Sequence, residues 1–242
     1  MSRTVASELA PTGTLRVGVN LANMLLVTGR TPSGDPVGVS PDIGRAIADR
    51  LGVGVAYVTF ASPGEVADAL TDNAWDIALI AAEPQRAETI AFTPAYAEIE
   101  ATYLVPAASP IRAIGDVDRP GMRIAVSNRA AYDLYLTRHL AYAELRRAQG
   151  LAAAVDLFVG EELDALAGLR PALLDNARDL PGARVLDGRF TTVRQAIGSR
   201  PGNTAAVAFL RDFVAEITSG GFVQSLIDRH GVTGRLHVAS GS

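Results

Sequence analysis

Short apolar runs alternate with helical patterns along most of the chain. LRVGV (15–19) reads as a strand. PDIGRAIADRL (41–51) then places Ile43, Ala46, Ile47 and Leu51 on one helical face, and Gly52 ends it. A strand follows over 55–59. Ser62 next caps a helix that has Pro63 at its first position and Glu65 at its third. DIALIA (76–81) is a continuous apolar run of the kind buried on both faces of a parallel sheet. Together these make a βαβαβ unit with right-handed crossovers.

The rhythm breaks at AFTPAYAEIEATYLVP (91–106), which reads as extended. Glu98, Glu100 and Thr102 fall on one face, with Ile99, Ala101 and Tyr103 on the other. A second alternating set follows: strand 123–126, helix 130–140, strand 144–148, helix 151–161, strand 163–167, helix 171–180 and strand 184–186. Two helices, 204–219 and 222–230, close the chain. No internal repeat or low-complexity tract interrupts this order. The reading is two α/β lobes, with a boundary near 100–110 and a return near 187–195.

Composition narrows the chemistry. The chain has 242 residues, enough for two lobes, and no Cys. Disulfides, thiolate nucleophiles, Fe–S clusters and Cys-based zinc sites are therefore excluded. All 22 basic residues are Arg, which rules out Schiff-base catalysis and a phosphate-binding Walker lysine. A net charge of −4 without a basic run argues against nucleic-acid binding. His139, His230 and His237 show no metal-ligand spacing, so neither a metal nor a cofactor is expected. No stretch of about 18 apolar residues is present, so no membrane insertion is expected. Met1 to Thr14 lacks the apolar segment of an export signal, and the chain as written carries no export address.

Five segments, in order, resemble one family. They are GTLRVGVN (13–20), GDPVGVSPDIGRAIADRLG (34–52), WDIALIAAEPQRAETIAFTPAY (75–96), DVDRPGMRIAVSN (116–128) and SGGFVQSLIDRHG (219–231). They look like the type 2 periplasmic solute-binding proteins of family 3, which bind amino acids for ABC importers. The resemblance implies a two-lobed α/β protein. Each lobe would be a mostly parallel sheet flanked by helices, and two crossover strands would join the lobes. Lobe 1 would comprise 1–101 and 192–242, with lobe 2 inserted over 102–191. A small polar, carboxylate-bearing solute would bind between the lobes, and the hinge would close on it. The resemblance also implies a periplasmic monomer that hands its ligand to ABC permease subunits. A cytoplasmic small-molecule sensor stays open, as does a dehydratase-type lyase on the same fold, with Glu98 or Glu100 as its acid.

The candidate residues follow from that resemblance. Arg86 sits where the family's carboxylate-binding arginine sits; the plainer reading is a surface arginine paired with Glu83 or Glu88. Ala81 precedes it by five and would contribute a main-chain contact. Asn20 and Asn23 follow the first strand at its carboxyl end, where open α/β sheets bind ligands, or are turn residues. Ser127, Asn128 and Tyr132 lie at the start of a lobe-2 helix whose N-terminus can meet an anion. The acid that would hold an α-amino group is replaced in the stretch Ala-Gly-Leu-Arg (167–170). Glu98 and Glu100 could take a cationic group in its place, or form a solvated edge. Alternatively, Arg86 and Arg170 together would favour a more anionic ligand. Trp75, Asp42 and Asp76 are expected to be structural.

Overall fold

A computed structural model describes residues 3–240 and divides the chain into two compact units. The first is Met1–Glu98 with Arg194–Ser242, and the second is Ile99–Val193.

The first unit opens with helix α1 (Arg3–Leu9) and strand β1 (Thr14–Asn20). A short hairpin of β2 (Gly29–Arg30) and β3 (Pro36–Val37) leads into α2 (Val39–Leu51). Then come β4 (Gly54–Phe60), α3 (Pro63–Asp68), β5 (Ile77–Ala81), the one-turn α4 (Pro84–Ala87) and β6 (Ala91–Phe92). β1 pairs in parallel with β4 on one side and β5 on the other. Their carboxyl ends, at Asn20, Phe60 and Ala81, therefore lie along one edge of the sheet.

Packing explains why these segments take these forms. Every residue of β5 is buried, as its unbroken apolar run requires. Trp75 is fully buried, and its indole N–H donates to the Val66 carbonyl at 2.8 Å. It packs with Val66, Leu70, Ile80 and Ile90. At Gly18 of β1, an added Cβ would lie 3.0 Å from the Trp75 ring, so only glycine fits comfortably. Asp76 pins the start of β5 to β1. It accepts from the Arg16 backbone N–H at 2.8 Å and from its guanidinium at 2.7 and 3.1 Å. The Ser62 cap forms as the sequence indicates, with the Glu65 N–H donating to its Oγ at 3.2 Å.

The chain crosses into the second unit along β7 (Ala97–Pro106). A 3₁₀ turn at Ile114–Asp116 precedes β8 (Arg123–Ser127), α5 (Ala131–His139), β9 (Glu144–Ala148) and α6 (Gly150–Gly160). The unit ends with β10 (Ala165–Leu169), α7 (Arg170–Asp179) and β11 (Ala183–Val185). β9, β8 and β10 run parallel, while β7 runs antiparallel to both β10 and β11. The carboxyl ends at Ala148, Ser127 and Leu169 again share one edge.

The return strand β12 (Thr191–Ser199) leads back to the first unit, where it pairs antiparallel with β5 and β6. Helices α8 (Thr204–Ser219) and α9 (Phe222–Arg229) and the short β13 (His237–Val238) follow. α1 packs on α8 and caps it: the Glu8 carboxylate accepts from the Ala206 N–H at 2.7 Å.

Three readings of the sequence are corrected. The extended run at 91–106 is two strands, separated at Thr93–Tyr96, where the Thr93 and Tyr96 N–H groups donate to Ile197 and Gln195 carbonyls. The strand placed at 163–167 begins two residues later, at Ala165. Leu163 instead closes α6: Glu162 adopts a left-handed φ of 48°, and the Leu163 N–H donates to the Phe158 carbonyl at 3.0 Å. The apolar residue there seals a helix end. Finally, Arg170 opens α7, one residue before the position read from Pro171.

One glycine fixes the segment that carries Asn23. Gly38 precedes α2 at φ 151°, and a Cβ there would press into the Leu26 carbonyl oxygen and the Val27 backbone. Gly52, with φ 69°, has open space around its missing Cβ. Gly38→Ala should destabilise the protein by about 3 kcal/mol in urea unfolding, combining backbone strain and overpacking. Gly52→Ala should cost only about 1 kcal/mol. Equal losses would contradict this packing.

Candidate functional site

In the first unit, the candidates cluster along the carboxyl edge of the parallel strands. Asn20 ends β1 and turns back on itself, its Oδ1 accepting from the Ala22 N–H at 3.0 Å. Asn23 is buried, and its Oδ1 accepts from the Leu25 N–H at 3.2 Å. Its own carbonyl receives the N–H groups of Leu26 and Val27 at 3.0 and 2.9 Å. Both asparagines thus spend their side-chain oxygens on local turns, while Asn20 stays half-exposed. Leu25, Leu26 and Val27 anchor the segment in the core, and Met24 just before them is 70% exposed.

Arg86 is not the surface residue that its place beside Glu83 and Glu88 could have made it; it is only 5% exposed. The Pro84 turn carries it back toward the end of β5, where its guanidinium donates to the Ala81 carbonyl at 2.9 Å. Ala81 and Arg86 are therefore in direct contact, with the planar guanidinium set beside the strand end. Glu98 lies at the first unit's margin, half-buried, and accepts from the Ser240 hydroxyl at 2.9 Å.

In the second unit, Ser127 ends β8 and Asn128 follows it, its N–H donating to the Ala148 carbonyl at 2.8 Å. Arg129 adopts a left-handed φ of 58°. Its N–H is held by the Asp133 carboxylate at 2.7 Å. Asp133, fully buried, also accepts from the Arg147 guanidinium at 3.0 Å. Sequence reasoning missed this pair. Its signal was an acid in the first turn of the predicted helix and two arginines at 146–147 on the adjacent strand. Asp133 places negative charge at the N-terminus of α5, which satisfies part of the helix dipole internally. Tyr132 is buried and hydrogen-bonded to Ser127, and burial pushes its hydroxyl well above the ordinary tyrosine range.

Glu100 and Arg170 meet. β7 and β10 pair Ala101 with Leu169, which brings the next residues on each strand together. The Arg170 Nε donates to Glu100 Oε2 at 2.8 Å, and Arg189 donates to Oε1 at 2.6 Å. Arg170 also donates to the Leu186 carbonyl at 3.3 Å and to the Gly188 carbonyl. Hydrogen bonds from Arg189, then Arg170, hold the Glu100 carboxyl below the usual glutamate range. The two rescues read from sequence as alternatives are thus coupled: Glu100 and Arg170 largely satisfy each other. Arg189, which sequence reasoning did not single out, completes the triad. Among the described residues, no group of three His, Asp or Glu side chains is arranged to hold a metal ion.

The triad sets a pH dependence. The folded-state pKa of Glu100 is lowered, so its contribution to stability is present above the unfolded glutamate pKa and is lost as pH falls through the folded value. Glu100→Gln should lower the melting temperature at pH 7, and the gap from the parent should shrink as pH falls below about 4. A gap that is constant from pH 7 to pH 3 would contradict the charged triad.

The sequence profile of bacterial extracellular solute-binding proteins, family 3, matches residues 15–233. None of the curated proteins compared with the chain matches it in sequence. Among solved structures, a mutant of ArgBP from T. maritima is similar at a TM-score of 0.75 and 19% identity, over 94% of this chain and 99% of that one. The ancestral amino acid-binding protein AncCDT-1, a precursor of cyclohexadienyl dehydratase, matches at 0.75 and 22%, with the same coverage. The cysteine-binding protein from Campylobacter jejuni matches at 0.75 and 18%, over 95% of this chain and 93% of that one. The α/β architecture is that of the two-lobed binding proteins, no described helix is long and apolar enough to cross a membrane, and the chain belongs to family 3 of the bacterial extracellular solute-binding proteins, with a small-molecule binding role.

Proposed function

We propose that this protein captures a small polar solute bearing a carboxylate, an amino acid or a related compound, and delivers it to an ABC importer. The observation that carries the reading is Arg86: a buried guanidinium at the carboxyl end of β5, beside the Ala81 carbonyl. A planar, permanently charged fork in a low-dielectric setting suits a carboxylate better than any neutral group does. Ala81 would add a main-chain contact, and Asn20 and Asn23 would border the same edge. Ser127, Asn128 and Tyr132 would supply the second unit's share, at the corresponding edge of its own sheet. Hinge closure would follow from contacts made by both units, since a ligand shifts a conformational equilibrium only by its differential affinity for the two states. The protein would work as a periplasmic monomer, without a cofactor.

Glu100 weighs against catalysis. An acid held ionised by two arginines is a poor proton donor near neutral pH, so it does not suit the general-acid role a lyase needs. Ligand recognition through arginine requires no proton transfer.

A thermal-shift screen against amino acids, polyamines, dicarboxylates and aromatic acids tests the proposal. At 100 times its Kd, a bound solute stabilises the native state by about 2.7 kcal/mol, raising the melting temperature by about 5–10 °C. Arg86→Met, which keeps the apolar stem, should weaken the best hit by about 10- to 100-fold in calorimetric titration. Unchanged affinity in this variant would remove Arg86 from the site. No shift with any carboxylate solute would contradict the proposed ligand class.

A further inference from the structure

The two connections between units cross at Glu98/Ile99 in β7 and at Val193/Arg194 in β12. Each is bounded on both sides by side-chain contacts, and on the first unit's side one residue makes them both. After α9 the chain turns at Gly231 and Gly234, with φ of 67° and 78°, and buries Leu236. His237 and Val238 then pair antiparallel with Glu98 and Ala97, and the Ala239 N–H donates to the Tyr96 carbonyl at 3.1 Å. Ser240 completes the segment. Its hydroxyl donates to the Glu98 carboxylate at 2.9 Å, while its carbonyl accepts from the Arg194 guanidinium at 3.2 Å. Ser240 thus contacts both crossing strands, at the first-unit residue of each that borders the crossing.

The second unit has its own fastening. Glu100 on β7 holds Arg189, and the Phe190 N–H donates to the Ala101 carbonyl at 3.0 Å. Between the two fastenings lie only Ile99 on one strand and Thr191–Val193 on the other.

We infer that residues 234–240 form a strap that restrains the two crossing strands and so limits the range of arrangements the two units sample. The restraint is local and physical. Strand pairing at His237–Val238 stiffens β7, and Ser240 couples Glu98 to Arg194 so that the strands shift together. Releasing Ser240 and Arg194 removes that side-chain coupling while leaving the backbone bonds between the strands and each unit's core untouched. The inference rests on no bound solute and stands apart from the ligand proposed above.

The absence of Cys from the sequence makes the test direct, because spin labels can be placed without background. Nitroxides at Ser33→Cys and Gln149→Cys, both exposed and one in each unit, report the inter-unit distance distribution by double electron–electron resonance. In the full chain carrying Arg194→Leu and Ser240→Gly, the distribution should broaden by about twofold relative to the labelled parent. Superimposable distributions, with circular dichroism showing both proteins folded, would overturn the inference. Should that variant fail to fold, the unlabelled Glu98→Cys/His237→Cys protein provides an independent reading. Oxidation should slow hydrogen exchange at the Tyr96 amide, which donates to Gln195 across the two strands, by about tenfold, and reduction should reverse it. Equal exchange in the oxidised and reduced forms would overturn the inference as well.

Discussion

The parallel pairing of β1 between β4 and β5 is the constraint on which the first unit depends. Parallel strands need crossover helices, and crossovers return the chain so that every strand ends at the same edge. Asn20 and Ala81 become neighbours along one rim for that reason, although some sixty residues separate them in sequence. The pairing is secured where it begins. Asp76 binds Arg16 through backbone and guanidinium, and Trp75 seals the space beside Gly18. The second unit repeats the logic with β9, β8 and β10, and Asp164 plays the part of Asp76 by accepting from the Arg123 N–H at 2.8 Å.

A scaffold of this kind separates the groups that hold the rim from those that could meet a solute. Most charges at the second unit's rim are already satisfied: Asp133 by Arg147, and Glu100 by Arg170 and Arg189. Those pairs order loops, and Arg170 in particular ties the Leu186–Gly188 segment to the strands. In the first unit, Arg86 is almost wholly buried at a strand end and donates to the Ala81 carbonyl. The proposed recognition of a carboxylate rests on its chemistry and position at that rim.

Much of the fold was legible in the sequence because its signals are local. Continuous apolar runs marked β5, Ser62-Pro63-Glu65 marked α3, and helical periodicity gave α8 its full extent of Thr204–Ser219. The misses have physical causes. Leu163 carries the apolar signature of a strand but seals a helix end, a distinction that depends on the left-handed Glu162. Strand β12 was expected only as the second crossover strand that the resemblance implies, since TTVRQAIGS carries little local pattern and its neighbours β5 and β6 bury it. The site was less legible. The resemblance placed Arg86, but only the fold buries it; the register of β7 and β10 brings Arg170 to Glu100, and the Phe190 N–H bond to the Ala101 carbonyl brings Arg189. These pairings join residues 70 and 89 positions apart, beyond any periodic signal.

The central claim is that solute is recognised at the carboxyl rims of the parallel strands. Amide chemical-shift mapping of ¹⁵N-labelled protein, titrated with a carboxylate solute that raises its melting temperature, addresses that claim most directly. The account predicts perturbations concentrated at Asn20, Ala81, Ala82, Ser127 and Asn128. Perturbations confined to α8 and α9, or to the amino ends of the strands, would contradict it.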